Sequence, residues 1–101
     1  MGLDIVMYGK SNEKLGLKEI DYFFYEALFI KNENWRSYSY LRKISDYYLT
    51  DIMFNREEIN HLLNDFRNIR MFIPIEYQSS IDKLVDLLSD ININEIHIAG
   101  D

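Results

Sequence analysis

The chain has 101 residues, of which 48% are hydrophobic and 28% charged, and its formal net charge is −6. This length predicts a single domain over residues 1–101 with one hydrophobic core, and the absence of cysteine excludes disulfide bonds and thiolate zinc sites. The sequence shows no signal-peptide pattern and no apolar run long enough to cross a bilayer, so we expect a cytoplasmic protein without a membrane partner.

The first third of the chain predicts a strand followed by a helix. The segment Leu3–Tyr8 alternates between two faces, as strands do, and the glycine-bounded residues 9–16 are typical of a loop. From Lys18 to Lys31, apolar residues recur at helical spacing on two sides. One side comprises Ile20, Phe23, Phe24, Ala27 and Leu28, and the other Tyr22, Tyr25 and Phe29. Such a helix either lies centrally in the core or presents its second side to a partner.

The middle of the chain predicts two further helices. The first spans Trp35–Leu49, and residues 50–55 then form a connection. Asn55 and Glu58 match a capping box, in which an N-cap side chain and a carboxylate three residues later satisfy each other's amides. The helix behind this box spans Arg56–Phe72. Its core-facing residues are Ile59, Leu62, Leu63, Phe66, Ile69 and Ile73.

The last quarter predicts a fourth helix and a second strand. Pro74 ends the preceding helix because proline has no amide hydrogen. The fourth helix spans Ile81–Ile91 and is capped by Ser79, and residues 94–100 alternate as a short strand. This strand can pair with Leu3–Tyr8 to satisfy the backbone of both. We therefore predict a mainly α fold, with four helices around one core and a small pair of terminal β-strands.

Negative charge is concentrated towards the end of the sequence. Residues 1–30 hold five acidic and three basic residues, residues 31–75 hold six and seven, and residues 76–101 hold six and one. The corresponding net charges are −2, +1 and −5. A field of this sign repels nucleic acid and anionic membranes and attracts basic surfaces.

An acidic ridge is predicted on the fourth helix. Asp82, Asp86 and Asp90 recur every four residues, which places them on one outer side, and Glu76 and Glu95 flank them. Like charges at this spacing destabilise a helix by a few tenths of a kcal/mol. A basic partner would relieve that repulsion and associate faster. The alternative is a solvated face that only keeps a small protein in solution.

Aromatic residues supply two further candidate surfaces. Tyr22 and Tyr25 could anchor a partner beside the acidic ridge, although core burial is the commoner fate of such residues. A second stripe interleaves bases and aromatics, as single-stranded nucleic-acid sites do. It consists of Arg36, Tyr40, Lys43 and Tyr47. Because the surrounding charge is near zero, helix-surface packing explains this stripe, and we predict no nucleic-acid partner.

Catalytic and metal-binding patterns are weak in this sequence. Glu57, His61 and Asp65 recur every four residues, but three ligands on one straight helix do not converge on a metal. No serine lies in a Gly-x-Ser-x-Gly elbow, and no glycine-rich loop could hold a phosphate. The sequence therefore predicts a protein that is not an enzyme and takes neither a metal nor a cofactor. An enzyme using His61 with Glu57 or Asp65 as a base is the alternative.

The opening residues Met-Gly-Leu-Asp-Ile-Val-Met-Tyr resemble the start of small bacterial and phage proteins. More broadly, the chain resembles an immunity protein of a bacterial toxin system of the contact-dependent growth inhibition type. The resemblance rests on its size, its acidity, its lack of cysteine and of catalytic motifs, and its abundance of residues with AT-rich codons. It implies a protein that binds the C-terminal domain of a secreted toxin, often a basic nuclease, and covers the active site.

Charge and resemblance together predict an inhibitor that binds a basic toxin domain. The expected contact residues are Asp82, Asp86, Asp90, Glu95, Glu76, Tyr22 and Tyr25. A phage or plasmid protein that mimics DNA, or regulates a basic host protein, is the alternative. It would carry its carboxylates at the spacing of duplex phosphates over more than one helix.

Overall fold

A four-stranded antiparallel sheet forms one layer of the molecule. The computed structural model describes residues 2–100. The strands are β1 (Gly2–Tyr8), β2 (Lys14–Asp21), β3 (Asp51–Asn55) and β4 (Glu95–Gly100). They lie in the order β2-β1-β4-β3, so β2 and β3 are the edge strands. The predicted strand at each end of the chain is confirmed, and so is the pairing of these two strands.

Helices form the second layer. They are α1 (Tyr22–Phe29), α2 (Ser39–Lys43), α3 (Arg56–Ile69) and α4 (Ile75–Leu88), together with short 3-10 helices at Asn34–Ser37 and Arg70–Phe72. α1 and α3 pack on the sheet, whereas α2 and α4 pack against α3. One sheet face and the helices share a single core, to which the sheet contributes Leu3, Ile5, Met7, Ile20, Phe54, Ile96 and Ile98. None of the helices within residues 2–100 has the length and hydrophobicity that spanning a bilayer requires.

The predicted capping box opens α3. The Asn55 side chain accepts a hydrogen bond from the Glu58 amide at 2.9 Å, and the Glu58 carboxylate accepts one from the Asn55 amide at 3.0 Å. All six predicted core residues of this segment are buried. The capping box and this core face are therefore confirmed, and the helix ends in a 3-10 turn before Pro74.

The prediction of a mainly α fold is wrong, because the chain forms an α+β fold with two further strands. β2 occupies residues that were assigned to a loop and to the start of a helix. The tight turn before it includes Asn12 at a φ of 62°, a left-handed conformation that asparagine tolerates. α1 begins only at Tyr22, since the Asp21 side chain caps it by accepting the Phe24 amide at 2.9 Å. β3 occupies most of the predicted connection at residues 50–55.

Two predicted helices also have the wrong bounds. The segment Trp35–Leu49 contains only one 3-10 turn and the short α2. Residues 46–50 form a turn in which the Leu49 and Thr50 amides donate hydrogen bonds to the Asp46 carbonyl. As a result, Tyr48 and Leu49, at the end of the predicted helix, lie outside any helix and are each 80% exposed. The last helix starts at Ile75 directly after Pro74, not at Ile81 behind a Ser79 cap, and it ends at Leu88, not at Ile91.

Candidate functional site

One face of the sheet is left open by the helices. The strand registers arrange its side chains in three rows, each of which crosses all four strands from β2 to β3. The first row is Glu19, Asp4, Ala99 and Asp51; the central row is Leu17, Val6, His97 and Met53; and the third row is Lys14, Tyr8, Glu95 and Asn55. We refer to these twelve residues as the open face. None of them belongs to the core cluster formed within residues 2–100.

The central row of the open face is apolar and accessible. Leu17 is 53% exposed and Met53 45% exposed, and Val6 and His97 lie between them. A sheet bulge between β1 and β2 adds Leu15, which is 47% exposed. The solvated face of an antiparallel sheet is ordinarily polar, so a row of exposed apolar side chains makes this face a candidate binding surface.

Carboxylates border this apolar row on both sides. Asp4 and Glu19 are directly opposite each other on adjacent strands, an arrangement that destabilises a sheet. Within residues 2–100, neither carboxylate has a hydrogen bond or an ion pair. Asp51 and Glu95 complete the set, and Lys14 is the one basic residue of the open face. The fold alone gives no reason for the opposed carboxylates of Asp4 and Glu19.

His97 links the central row to the first row. Its Nε2 lies 2.5 Å from Asp51 Oδ1, across the β4–β3 boundary. Asp51 remains 78% exposed despite this contact. The contact holds the imidazole ring in place and leaves the carboxylate available to a partner.

The predicted acidic ridge is not continuous. Asp82 is paired with Arg70 through two hydrogen bonds of 2.8 and 2.9 Å, and these bonds lower the pKa of the Asp82 carboxyl. Asp90 lies beyond the end of α4, where its side chain accepts the Asn92 amide. Asp86 remains exposed on α4.

The flanking acidic residues lie on separate surfaces. Glu76 is exposed in the first turn of α4. Glu95 belongs to the open face instead, where it opposes Tyr8 on β1. Of the predicted acidic contact residues, Glu95 alone is part of this face.

The two predicted aromatic anchors have different positions. Tyr25 is buried, its hydroxyl donates a hydrogen bond to the Ser45 carbonyl, and its ring contacts Phe29 at 5.1 Å. It is therefore a core residue, and burial raises the pKa of its hydroxyl. Tyr22 is partly exposed and lies within hydrogen-bond distance of Glu26, at 3.3 Å. Neither tyrosine is part of the open face.

Two of the three residues of the enzyme alternative are engaged in structural contacts, and the third, Glu57, is exposed in the first turn of α3. The Asp65 carboxylate accepts the Tyr40 and Leu41 amides at 2.9 and 3.3 Å and so caps α2. The His61 ring stacks on the Tyr40 ring at 5.2 Å, and Lys43 lies over the same tyrosine ring at 4.4 Å. Within residues 2–100, no group of three histidine or acidic side chains is placed to hold a metal ion.

Sequence reasoning missed three of the four open-face carboxylates: Asp4, Glu19 and Asp51. Asp4 could have been found from its place on the outward side of the predicted strand Leu3–Tyr8. Glu19 could have been found from the Leu-Gly-Leu alternation at residues 15–17, which indicates a second strand. Their meeting depends on the strand order, which no local pattern specifies. Comparison with known proteins adds no candidate, since no family model, curated protein or solved structure matches the chain.

Proposed function

We propose that this protein is a stoichiometric inhibitor that binds a basic bacterial toxin domain through the open face, in the manner of an immunity protein. The observation that carries the proposal is the row of exposed apolar side chains bordered by the carboxylates of Asp4, Glu19, Asp51 and Glu95. Protein interfaces combine a desolvated apolar centre with a polar rim, and the open face has both parts.

The composition of the open face favours a protein over other partners. Nucleic acid and anionic lipid would be repelled by four carboxylates facing one lysine. A DNA mimic needs carboxylates spaced like phosphates, whereas here an apolar row separates the three carboxylates of the first row from Glu95. The exposed side chains of Leu17 and Met53 would be buried by a protein surface of matching shape.

Inhibition would follow from occupancy of the toxin's substrate site. A nuclease holds its substrate phosphates with basic side chains, and the carboxylates of the open face are complementary to such a cluster. The apolar row would exclude water from the centre of the contact and supply most of the affinity. The carboxylates would chiefly speed the encounter and fix the orientation.

Co-production with the product of the gene immediately upstream tests this function. We expect a 1:1 complex in which the toxin loses its activity. Met53→Lys places a positive charge in the central row and should weaken inhibition by at least about tenfold, the effect of an unfavourable charge in an interface. Ile91→Lys makes the same type of change at a residue that is 80% exposed and away from the open face, and it should inhibit like the wild type.

Two results would contradict the function. One is a neighbouring gene product that neither forms a complex nor is inhibited. The other is a Met53→Lys variant that stays folded and inhibits as well as Ile91→Lys, which would remove the open face from the mechanism.

A further inference from the structure

The edge strand β2 has a free side along its length. It spans eight residues and pairs only with β1. Within residues 2–100, the main chain of residues 15–20 has no hydrogen-bond partner outside that pairing. In an edge strand, alternate amides and carbonyls point away from the sheet and can accept another strand.

A groove of about 180 Å³ runs beside this free edge, between β2 and α4. The Phe24 and Tyr77 rings line it and stack in parallel at 6.3 Å, with an interplanar angle of 2°. Lys18, Glu19 and Asp21 line the groove from the β2 side, and Lys83 lines it from α4. A strand added to β2 would therefore project every second side chain towards an aromatic surface bordered by two ammonium groups and two carboxylates.

We propose that an extended segment of the protein partner adds to β2 as a fifth strand and places alternate side chains in this groove. The inference rests on the proposed function only for the existence of a protein partner. Main-chain hydrogen bonds would supply the affinity, and the side chains on either face of the added strand would supply the specificity. The added strand would also continue the open face, to which Leu17 and Glu19 belong.

The charges along β2 specify the chemistry of the segment. Lys18 faces the helix side, because its partner in β1 is the buried Ile5, whereas Glu19 faces the open side, opposite Asp4. An added strand therefore meets a positive charge on one face and a negative charge at the next residue on the other face. The complementary segment carries an acidic residue opposite Lys18 and a basic residue opposite Glu19, with apolar residues around them.

A second copy of the chain is a poorer occupant of the same edge. Each copy carries a net charge of −6, so two copies repel each other. If two copies paired through antiparallel β2 strands, a register centred on Lys18 would place the two lysines opposite each other, and one centred on Glu19 would do the same with the two glutamates.

A peptide titration tests the inference without the toxin. The probe is Lys-Phe-Arg-Glu-Val-Thr-Val, which in antiparallel register sets its arginine against Glu19 and its glutamate against Lys18. The control peptide exchanges only the arginine and the glutamate, so composition and charge are unchanged. We expect the probe to bind about tenfold more tightly than the control, because two cross-strand pairs change sign. The chemical shifts of residues 15–20 should move, and their amide exchange should slow.

A charge-exchanged protein completes the test. The variant Lys18→Glu/Glu19→Lys keeps the net charge and should prefer the control peptide. Equal binding of both peptides, shifts that fall outside β2 and its groove, or no reversal in the variant would overturn the inference. Concentration-dependent protection of β2 without peptide would also overturn it, since a second copy would then occupy the edge. A negative peptide result would not contradict toxin inhibition through the open face. Equally, a toxin that fails to bind would not contradict strand addition to β2.

Discussion

Repulsion between Asp4 and Glu19 lowers the stability of the free protein. They face each other across β1 and β2 without a compensating base among residues 2–100. Directly opposed like charges in a sheet cost roughly 0.2–1 kcal/mol. Asp82 shows the opposite arrangement, because Arg70 satisfies its carboxylate through two hydrogen bonds. Unrelieved repulsion at a solvent-facing position is the pattern expected of residues whose counter-charges come from a partner.

Asp4→Asn should therefore stabilise the free protein while it weakens the complex. We expect the free energy of unfolding to rise by about 0.5 kcal/mol, since the change removes one like-charge pair. Urea denaturation of the free protein measures this gain, and calorimetry with the toxin domain measures the loss of affinity. Asp86→Asn, an exposed carboxylate on α4, is the control and should leave both quantities nearly unchanged. A destabilised Asp4→Asn protein, or one that binds the toxin more tightly, would contradict this assignment.

At the scale of elements, α3 was predictable because its pattern and its cap agree. Its core residues recur at helical spacing, and Asn55 and Glu58 satisfy each other locally. β2 was not predictable in the same way, because Ile20 is its one buried residue and its leucines face outward. An edge strand whose leucines face the solvent does not show the usual alternation of buried and exposed residues. The error in the fold and the missed site therefore have one cause.

Arg56 holds the connection between α4 and β4. Its guanidinium donates to the carbonyls of Leu88, Asp90 and Ile93 at 2.7, 3.0 and 3.0 Å. These carbonyls include the free C-terminal end of α4, where a cation is favourable. The contacts fix the point at which the chain enters the central strand β4, so they also position Glu95 and His97.

Arg56→Ala should lower the free energy of unfolding by about 2 kcal/mol, because two half-buried carbonyls and one exposed carbonyl lose a charged donor. Arg67→Ala is the matched control, since Arg67 is exposed on the same helix and has no hydrogen bond within the described residues. Chemical denaturation of both variants measures the difference. Identical midpoints for the two variants would show that the connection does not depend on Arg56.

For the whole molecule, charge is distributed unevenly between the two layers. The open face carries four carboxylates and one lysine. The helices carry as many basic as acidic side chains, and the bases include Arg42 and Lys43 on α2. A molecule with this asymmetry turns its acidic side towards a cationic partner before contact, which raises the association rate at low salt. Net charge could be read from the sequence, but its distribution required the strand order.

The association rate with the toxin domain at low and high ionic strength tests the central claim most directly. The pair Asp4→Asn/Glu19→Gln and the pair Glu76→Gln/Asp86→Asn each remove two carboxylates and change the net charge from −6 to −4. We predict that the open-face pair slows association by about fivefold at low salt and flattens its salt dependence. The α4 pair should stay close to the wild type. Equal effects of the two pairs, or slowing by the α4 pair alone, would contradict the assignment of the open face as the binding surface.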